Sequence, residues 1–335
     1  MNTLLAYKSK RAYVFRDHVW SLDHYLWHSL KYWWSRPRTP LNAFISGPSA
    51  GGSWDSDDNA PRSISEHWFN TVCPKSERRI IYTGDVKPSI YWESGDVIFK
   101  HWERLLTDAP ERCVEVQPSL FDDRDPQTFD FLLWGSTRIL PLWDEYKTSA
   151  VSRLLAPSAL VKDAVDRNEY LFLHGRWHPY ERVLAIHLRR GDFKNHCRNL
   201  AKWNLTFHSW NLLPFLPDRF INPEGPVGKA QIRKHCYPDS DMILEKIQKS
   251  REEYIQAGKH RVLDTIFLLT NDATGWVEDL KTKLMQSGWH KVVASKDLEL
   301  DQEQKDVRLA VDMEFGIKAA VFIGNGVSLF LFKNP

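Results

Sequence analysis

Apolar and polar positions are distributed unevenly along this chain. The most uniform apolar run is Val183-Leu-Ala-Ile-His-Leu188, and it stops at Arg189-Arg190-Gly191-Asp192. Branched side chains without alternation predict a strand buried on both faces, as in a parallel sheet. Downstream the pattern becomes regular. It predicts a strand over 263–269, a helix to about 285 capped from Thr270-Asn-Asp272, a strand over 291–293, a helix over 302–318 opened by Asp301, and a strand over 320–323 closed by Gly324-Asn325-Gly326. Such alternation predicts a parallel sheet with covering helices.

Upstream the pattern is less regular. It predicts a helix end over 2–10, strands over 12–15, 79–82 and 113–116, and an amphipathic helix over 94–106. Residues 129–134 are apolar without a period, so strand and buried helix both stay open. Residues 149–172 read as helix broken near Pro157, with Ser158 placed to cap the second part. Residues 35–61 carry Pro37, Pro40, Pro48 and the glycines from Gly47 to Gly52, and read as a loop. No Lys-Ser/Thr follows those glycines, so they are not a P-loop. Residues 194–238 are polar and Pro-bearing and predict a long irregular insertion, a type of loop that usually carries function. The polar stretch around Gly175 to Tyr180 sets the expected domain boundary, giving 1–176 and 177–335.

Composition narrows the classes. The chain has 335 residues, 42% of them hydrophobic, and a formal net charge of +2, which allows two globular domains. So small a net charge gives no broad argument for nucleic acid or acidic membranes as partners, neither of which is expected, and any basic site must be local. No stretch is long and apolar enough to span a bilayer. The first residues lack the apolar core of a signal peptide. Cys73, Cys113, Cys197 and Cys236 match no zinc spacing; Cys197 and Cys236 bracket the insertion and can staple it in an oxidising compartment. Asn204-Leu-Thr206 is an N-glycosylation sequon. Asp55-Ser-Asp-Asp58 reads as a solvated acidic turn, and Asp239 as a helix cap ahead of 242–257, rather than as metal ligands. The aromatic content, with 15 Trp, suits sugar rings and nucleobases but is also ordinary core material.

The chemistry concentrates after the 183–188 run. Two guanidinium groups and a glycine at a strand's carboxyl end stand where open α/β sheets bind ligands. Arginine's planar fork matches phosphate bidentately.

The string His187-x-Arg189-Arg190-Gly191-Asp192-Phe193 resembles the signature of the GDP-fucose protein O-fucosyltransferase-like family and its α-1,6-fucosyltransferase relatives. The later string Asp312-Met-Glu-Phe-Gly-Ile-Lys-Ala-Ala-Val-Phe-Ile-Gly-Asn-Gly-Val-Ser328 resembles that family's helix, strand and Gly-Asn…Ser loop. Tyr13-Val-Phe15 and Leu269-Thr-Asn-Asp272 look most like its fungal members. The resemblance is strong over about the last half of the chain. It implies an α/β fold of two Rossmann-like halves, the GT-B glycosyltransferase type. It also implies metal-independent, inverting transfer of fucose from GDP-fucose to a protein or glycan hydroxyl, with no cofactor. Carried over residue by residue, Arg189 stabilises the departing diphosphate with Arg190 in support, and His187 contacts the nucleotide. Asp312 accepts from the guanine edge, while Gly324, Asn325 and Ser328 close on phosphate. Asp192 and Asp272 are expected to be structural.

Two departures shape the expectation. The family's opening strand and Gly/Asn-rich loop have no counterpart before residue 2, and Leu329 to Pro335 replaces its polar tail. The N-terminal half therefore reads as truncated, no general base is named, and low activity is expected. The alternative is a non-catalytic relative that binds GDP weakly or not at all; a glycan-binding module is a third reading. With a protein acceptor, the expected compartment is the ER or Golgi lumen.

Overall fold

The computed structural model describes residues 1–20, 36–119, 128–173, 179–191, 193–205, 207, 209–216, 219–223, 225–258, 262–272 and 274–324. They form a mixed α/β structure in two compact units, Met1–Leu160 and Val161–Pro335. The boundary expected from sequence, at 176, falls inside the second unit.

In the first unit strands come in pairs. Helix α1 (Asn2–Lys8) precedes β1 (Val14–Phe15), β2 (His18–Val19) and β3 (Arg38–Thr39). Then follow α2 (Leu41–Phe44), β4 (Ile45–Ser46), β5 (Ile64–Ser65), α3 (Glu66–Val72), β6 (Arg78–Tyr82), α4 (Thr83–Val86), α5 (Gly95–Asp108) and β7 (Cys113–Gln117). The unit closes with α6 (Phe131–Trp134), α7 (Trp143–Thr148), α8 (Ala150–Arg153) and β8 (Ala156–Pro157). β1 pairs parallel with β5 and β6 with β7; β2–β3 and β4–β8 are antiparallel. Among the described residues no sheet here exceeds two strands. The expected amphipathic helix is α5, burying Ile98, Phe99 and Trp102. Its C-terminal carbonyls need partners. Arg11 supplies them, donating to Leu106, Ala109 and Glu111. The open assignment at 129–134 resolves as α6, because the Asp130 carboxylate caps it on the Leu133 N–H. The helix after Pro157 starts at Ala159, directly after Ser158, whose hydroxyl donates to the Ala43 carbonyl. A Cys73–Cys113 disulfide, not anticipated from spacing, joins the end of α3 to the start of β7.

The second unit is built on one continuous sheet. After α9 (Ala159–Asn168), β9 (Val183–Leu188) is the predicted buried strand. The order is β11 (Lys291–Ala294), β10 (Thr265–Thr270), β9, β12 (Val321–Ile323), all parallel. β10 is buried at every position. Side chains alternate across a pleated strand. One face, with Leu184, Ile186, Ile266 and Leu268, packs on Ile243 and Ile247 and on Val277 and Leu280. These come from α12 (Ser240–Gln256) and α13 (Gly275–Gln286). On the other face Phe267 packs against Phe172 and Phe315. Each buried apolar side chain contributes about 1.5–3 kcal/mol, and the strands need apolar residues throughout because both faces are covered.

Three expectations change here. Residues 194–238 are not an irregular loop. They carry α10 (Phe193–Trp203) and α11 (Gly225–Cys236), joined by the Cys197–Cys236 disulfide over a small core of Leu200, Ala201, Phe207 and Ile232. Phe193, Cys197, Leu200 and Ala201 repeat at helical spacing, which the surrounding charges and prolines obscure. The 302–318 helix is two, α14 (Gln302–Asp306) and α15 (Arg308–Lys318), separated at buried Val307; Asp301 and Gln304 form the expected start as a capping box. The cap of α13 is Thr274, not Asp272, whose carboxylate accepts from the Thr274 N–H and hydroxyl.

Candidate functional site at the carboxyl edge of the sheet

From β9 the chain steps outward to β10 and β11, then returns to add β12 on the other flank of β9. The carboxyl ends of β9 and β12 therefore lie side by side, at the point where the strand order reverses. In open α/β sheets this switch point is where a crevice forms and ligands bind. Arg189-Arg190-Gly191 follow β9 and Gly324 follows β12, so these residues of the two strings stand at the same sheet edge. Asp192, Asn325 and Ser328 lie outside the described residues.

His187 pairs in register with Leu269 and shares a sheet face with Ala185 and Phe267, the face that Phe315 of α15 covers. Burial, then the Arg189 cation, hold its imidazole down at about 4, so it is neutral at physiological pH. Arg189 is half-buried, with its guanidinium 5.7 Å from the centre of the Phe193 ring.

Arg190 sits differently. Its guanidinium lies between the rings of Tyr237 and Trp276, 4.0 Å from each centre, and donates to the Pro238 carbonyl at 2.7 Å. Stacked this way the cation joins the end of the disulfide-bound helix pair to the first turn of α13. Trp276 is fixed in turn by donating to Ser240. Asn271 clamps the Arg190 backbone from both sides, accepting from its N–H at 2.9 Å and donating to its carbonyl at 3.4 Å. Gly191 follows at φ +59°, a left-handed turn that glycine adopts without strain.

Asp312, on α15, is only 8% exposed. Its Oδ2 accepts from the Ser295 hydroxyl at 2.8 Å, while Oδ1 is buried without a hydrogen-bond partner among the described residues. Burial pushes the carboxyl up to about 7, against the downward pull of Ser295 and Arg308. Ser295, just past β11, also accepts from the Thr270 N–H, and the Thr270 hydroxyl donates to the Leu188 carbonyl. Hydrogen bonds thus run from Asp312 through Ser295 and Thr270 to the last residue of β9. His187, Arg189 and Gly324 stand on that edge directly, Asp312 joins it through this chain, and Arg190 is engaged within the protein.

Asp55 pairs with Arg153, Asp58 accepts from Tyr7 and the Ala60 N–H, and Asp239 caps α12 on Met242. Ser295, Asn271, Tyr237 and Trp276 were not anticipated. Their partners lie far away in sequence, and only Asn271, immediately after a strand, carried a local signal. A scan against protein-family models finds no match, and no curated protein matches the chain.

Proposed function

We propose that the second unit binds GDP-fucose and that the chain transfers fucose to an acceptor hydroxyl of a protein or glycan, without a metal and with inversion. On this reading the second unit is the Rossmann-like donor half of a GT-B glycosyltransferase. The observation that carries it is the adjacency of the carboxyl ends of β9 and β12 at the reversal of strand order, with the bare Oδ1 of Asp312 tied to the same edge. An anionic leaving group needs fixed positive charge where its charge develops. Arg189 supplies it as the C1–O bond breaks and GDP departs, while the acceptor oxygen attacks C1 from the opposite face and its hydroxyl proton passes to solvent. A neutral His187 contacts the nucleotide. The Asp312 carboxylate accepts from two N–H groups on the guanine edge. Arg190 supports by position, holding the loop through Tyr237, Trp276 and Asn271. Two disulfides and the Asn204 sequon favour an ER or Golgi lumen.

A non-catalytic GDP-binding protein is the second reading. It is favoured by the sequestered Arg190 guanidinium, which leaves Arg189 to meet the diphosphate without it. Release of GDP from GDP-fucose, with and without acceptor, tests the choice. Turnover that falls at least about a hundredfold in Arg189→Ala, from the loss of two charge-assisted bonds at about 1.5–3 kcal/mol each, supports the enzyme. Wild-type kinetics in Arg189→Ala would remove Arg189 from the mechanism.

A further inference from the structure

A cavity of about 690 Å³ opens within the first unit. Phe15 and Asp17, at the end of β1, line it together with Ser65 and Glu66, at the end of β5. Ser63 and Ile64, at the start of β5, line it too, so the cavity runs along the β1–β5 pair. Its volume falls within the range of about 300–1,000 Å³ typical of small-molecule sites.

The lining is mixed in a particular way. Asp17 and Glu66 offer carboxylate acceptors, Asn42 and Asn70 offer amides, and Arg38 adds a donor. Asn70 gives its carbonyl oxygen to Arg78, which leaves its NH₂ to donate. Glu66 is paired with Arg16 at 2.9 Å, and Asp17 and Arg38 carry opposite charges, so the cleft has no positive excess. A phosphate or carboxylate ligand would face two carboxylates there. Trp68 stands on the rim, 54% exposed, a bare aromatic face beside polar groups. At the inner wall Ser63 is 4% exposed, and its Oγ has no hydrogen-bond partner among the described residues. A buried hydroxyl left unpaired is costly, and a ligand hydroxyl would satisfy it.

We infer that this cleft binds a residue of a neutral saccharide, whose C–H face lies on Trp68 and whose hydroxyls meet Asp17, Asn42 and Ser63. The site lies wholly in the first unit and does not depend on what the second unit binds. The test applies the full chain to an array of neutral and sialylated glycans, then titrates chitotriose, mannotriose, sialyllactose and GDP by calorimetry. The expected result is binding of a neutral glycan, at least tenfold weaker in Trp68→Ala and in Asp17→Asn. Sialyllactose should not bind, and GDP affinity and melting temperature should be unchanged in Trp68→Ala. The inference is overturned if no neutral glycan on the array binds, if Trp68→Ala binds as well as the parent protein, or if acidic glycans bind equally. GDP is scored in the same titrations, so failure of this site and failure of the donor reading are separate results.

Discussion

The two units solve the same packing problem with different sequences. The second has a four-stranded parallel sheet whose central strands are apolar on both faces. The first has strand pairs, several of only two residues, held among helices and by long side chains such as Arg11. Its longest pair, β6 with β7, carries Arg78 and Glu115 as a cross-strand ion pair at 2.8 Å. A sheet buried on both faces must be nearly all hydrocarbon, whereas a half-buried strand pair can keep charges that are paired with each other. The difference shows what each unit is suited for: a wide parallel sheet creates a switch point at its edge, and a strand pair creates at most a local cleft.

Core truncation probes this difference hardest. Ile266→Ala, fully buried in β10, should cost toward the upper part of the roughly 2–5 kcal/mol range. Ile81→Ala, on β6 and 7% exposed, should cost toward the lower part, where neighbours relax more easily. Denaturant melts of both variants would measure it, and equal losses would mean that the two cores are equally tight.

The disulfides come next. Their sequence separations are 40 and 39 residues, so chain entropy assigns each about the same stabilisation, near 4 kcal/mol. Replacing Cys73 and Cys113, or Cys197 and Cys236, by alanine in pairs should give similar losses of stability. A much smaller loss for Cys197–Cys236 would mean that α10 and α11 are held mainly by their apolar contacts.

Sequence made the second unit more legible than the first for the same physical reason. The 183–188 run, the strand at 263–269 and the Asp301 cap are local patterns that need no partner to be recognised. α10 has four apolar or cysteine positions on one face and α11 adds only Ile232 and Cys236, too few to stand out among lysines and prolines. The break at Val307 has no Pro or Gly to announce it; Val307 is fully buried there. At the site, the motif residues His187, Arg189 and Asp312 were visible as strings. The supports were not: Asn271 reaches Arg190 across 81 residues and Ser295 reaches Thr270 across 25. The assignment of Arg190 shows the limit most clearly. A guanidinium next to a phosphate-binding position and one stacked between Tyr237 and Trp276 look the same in the sequence.

The smallest expected effects concern pH, and here two buried groups oppose each other. His187 is held at about 4, below its ordinary 6.5. Between those values the unfolded chain binds the extra proton, so this group makes stability rise with pH. Asp312 is pushed up to about 7 from 3.8. Between those values the folded chain holds the extra proton, so its contribution is present at low pH and lost as pH rises through about 7. Over about pH 4–6.5 the two slopes cancel, each at most about 1.4 kcal/mol per pH unit. Thermal melts of Asp312→Asn should therefore gain stability with rising pH in that window, and His187→Gln should lose it. Parallel pH profiles for the two variants would show that one of the groups is not titrating as described.

The most direct test of the proposed donor site is nucleotide choice at Asp312. Calorimetric titration of GDP, UDP and ADP into the full chain at pH 8, where the carboxylate is ionised, should give GDP the tightest binding by at least about tenfold, in line with roughly 1–3 kcal/mol per unpaired polar group. The preference should disappear in Asp312→Asn, which keeps the size of the side chain and an oxygen for Ser295. In the parent protein GDP affinity should fall toward tenfold per unit as pH drops below about 7, because guanine's N–H groups need the ionised acceptor. Equal binding of the three diphosphates, or a GDP preference that survives in Asp312→Asn, would contradict the account.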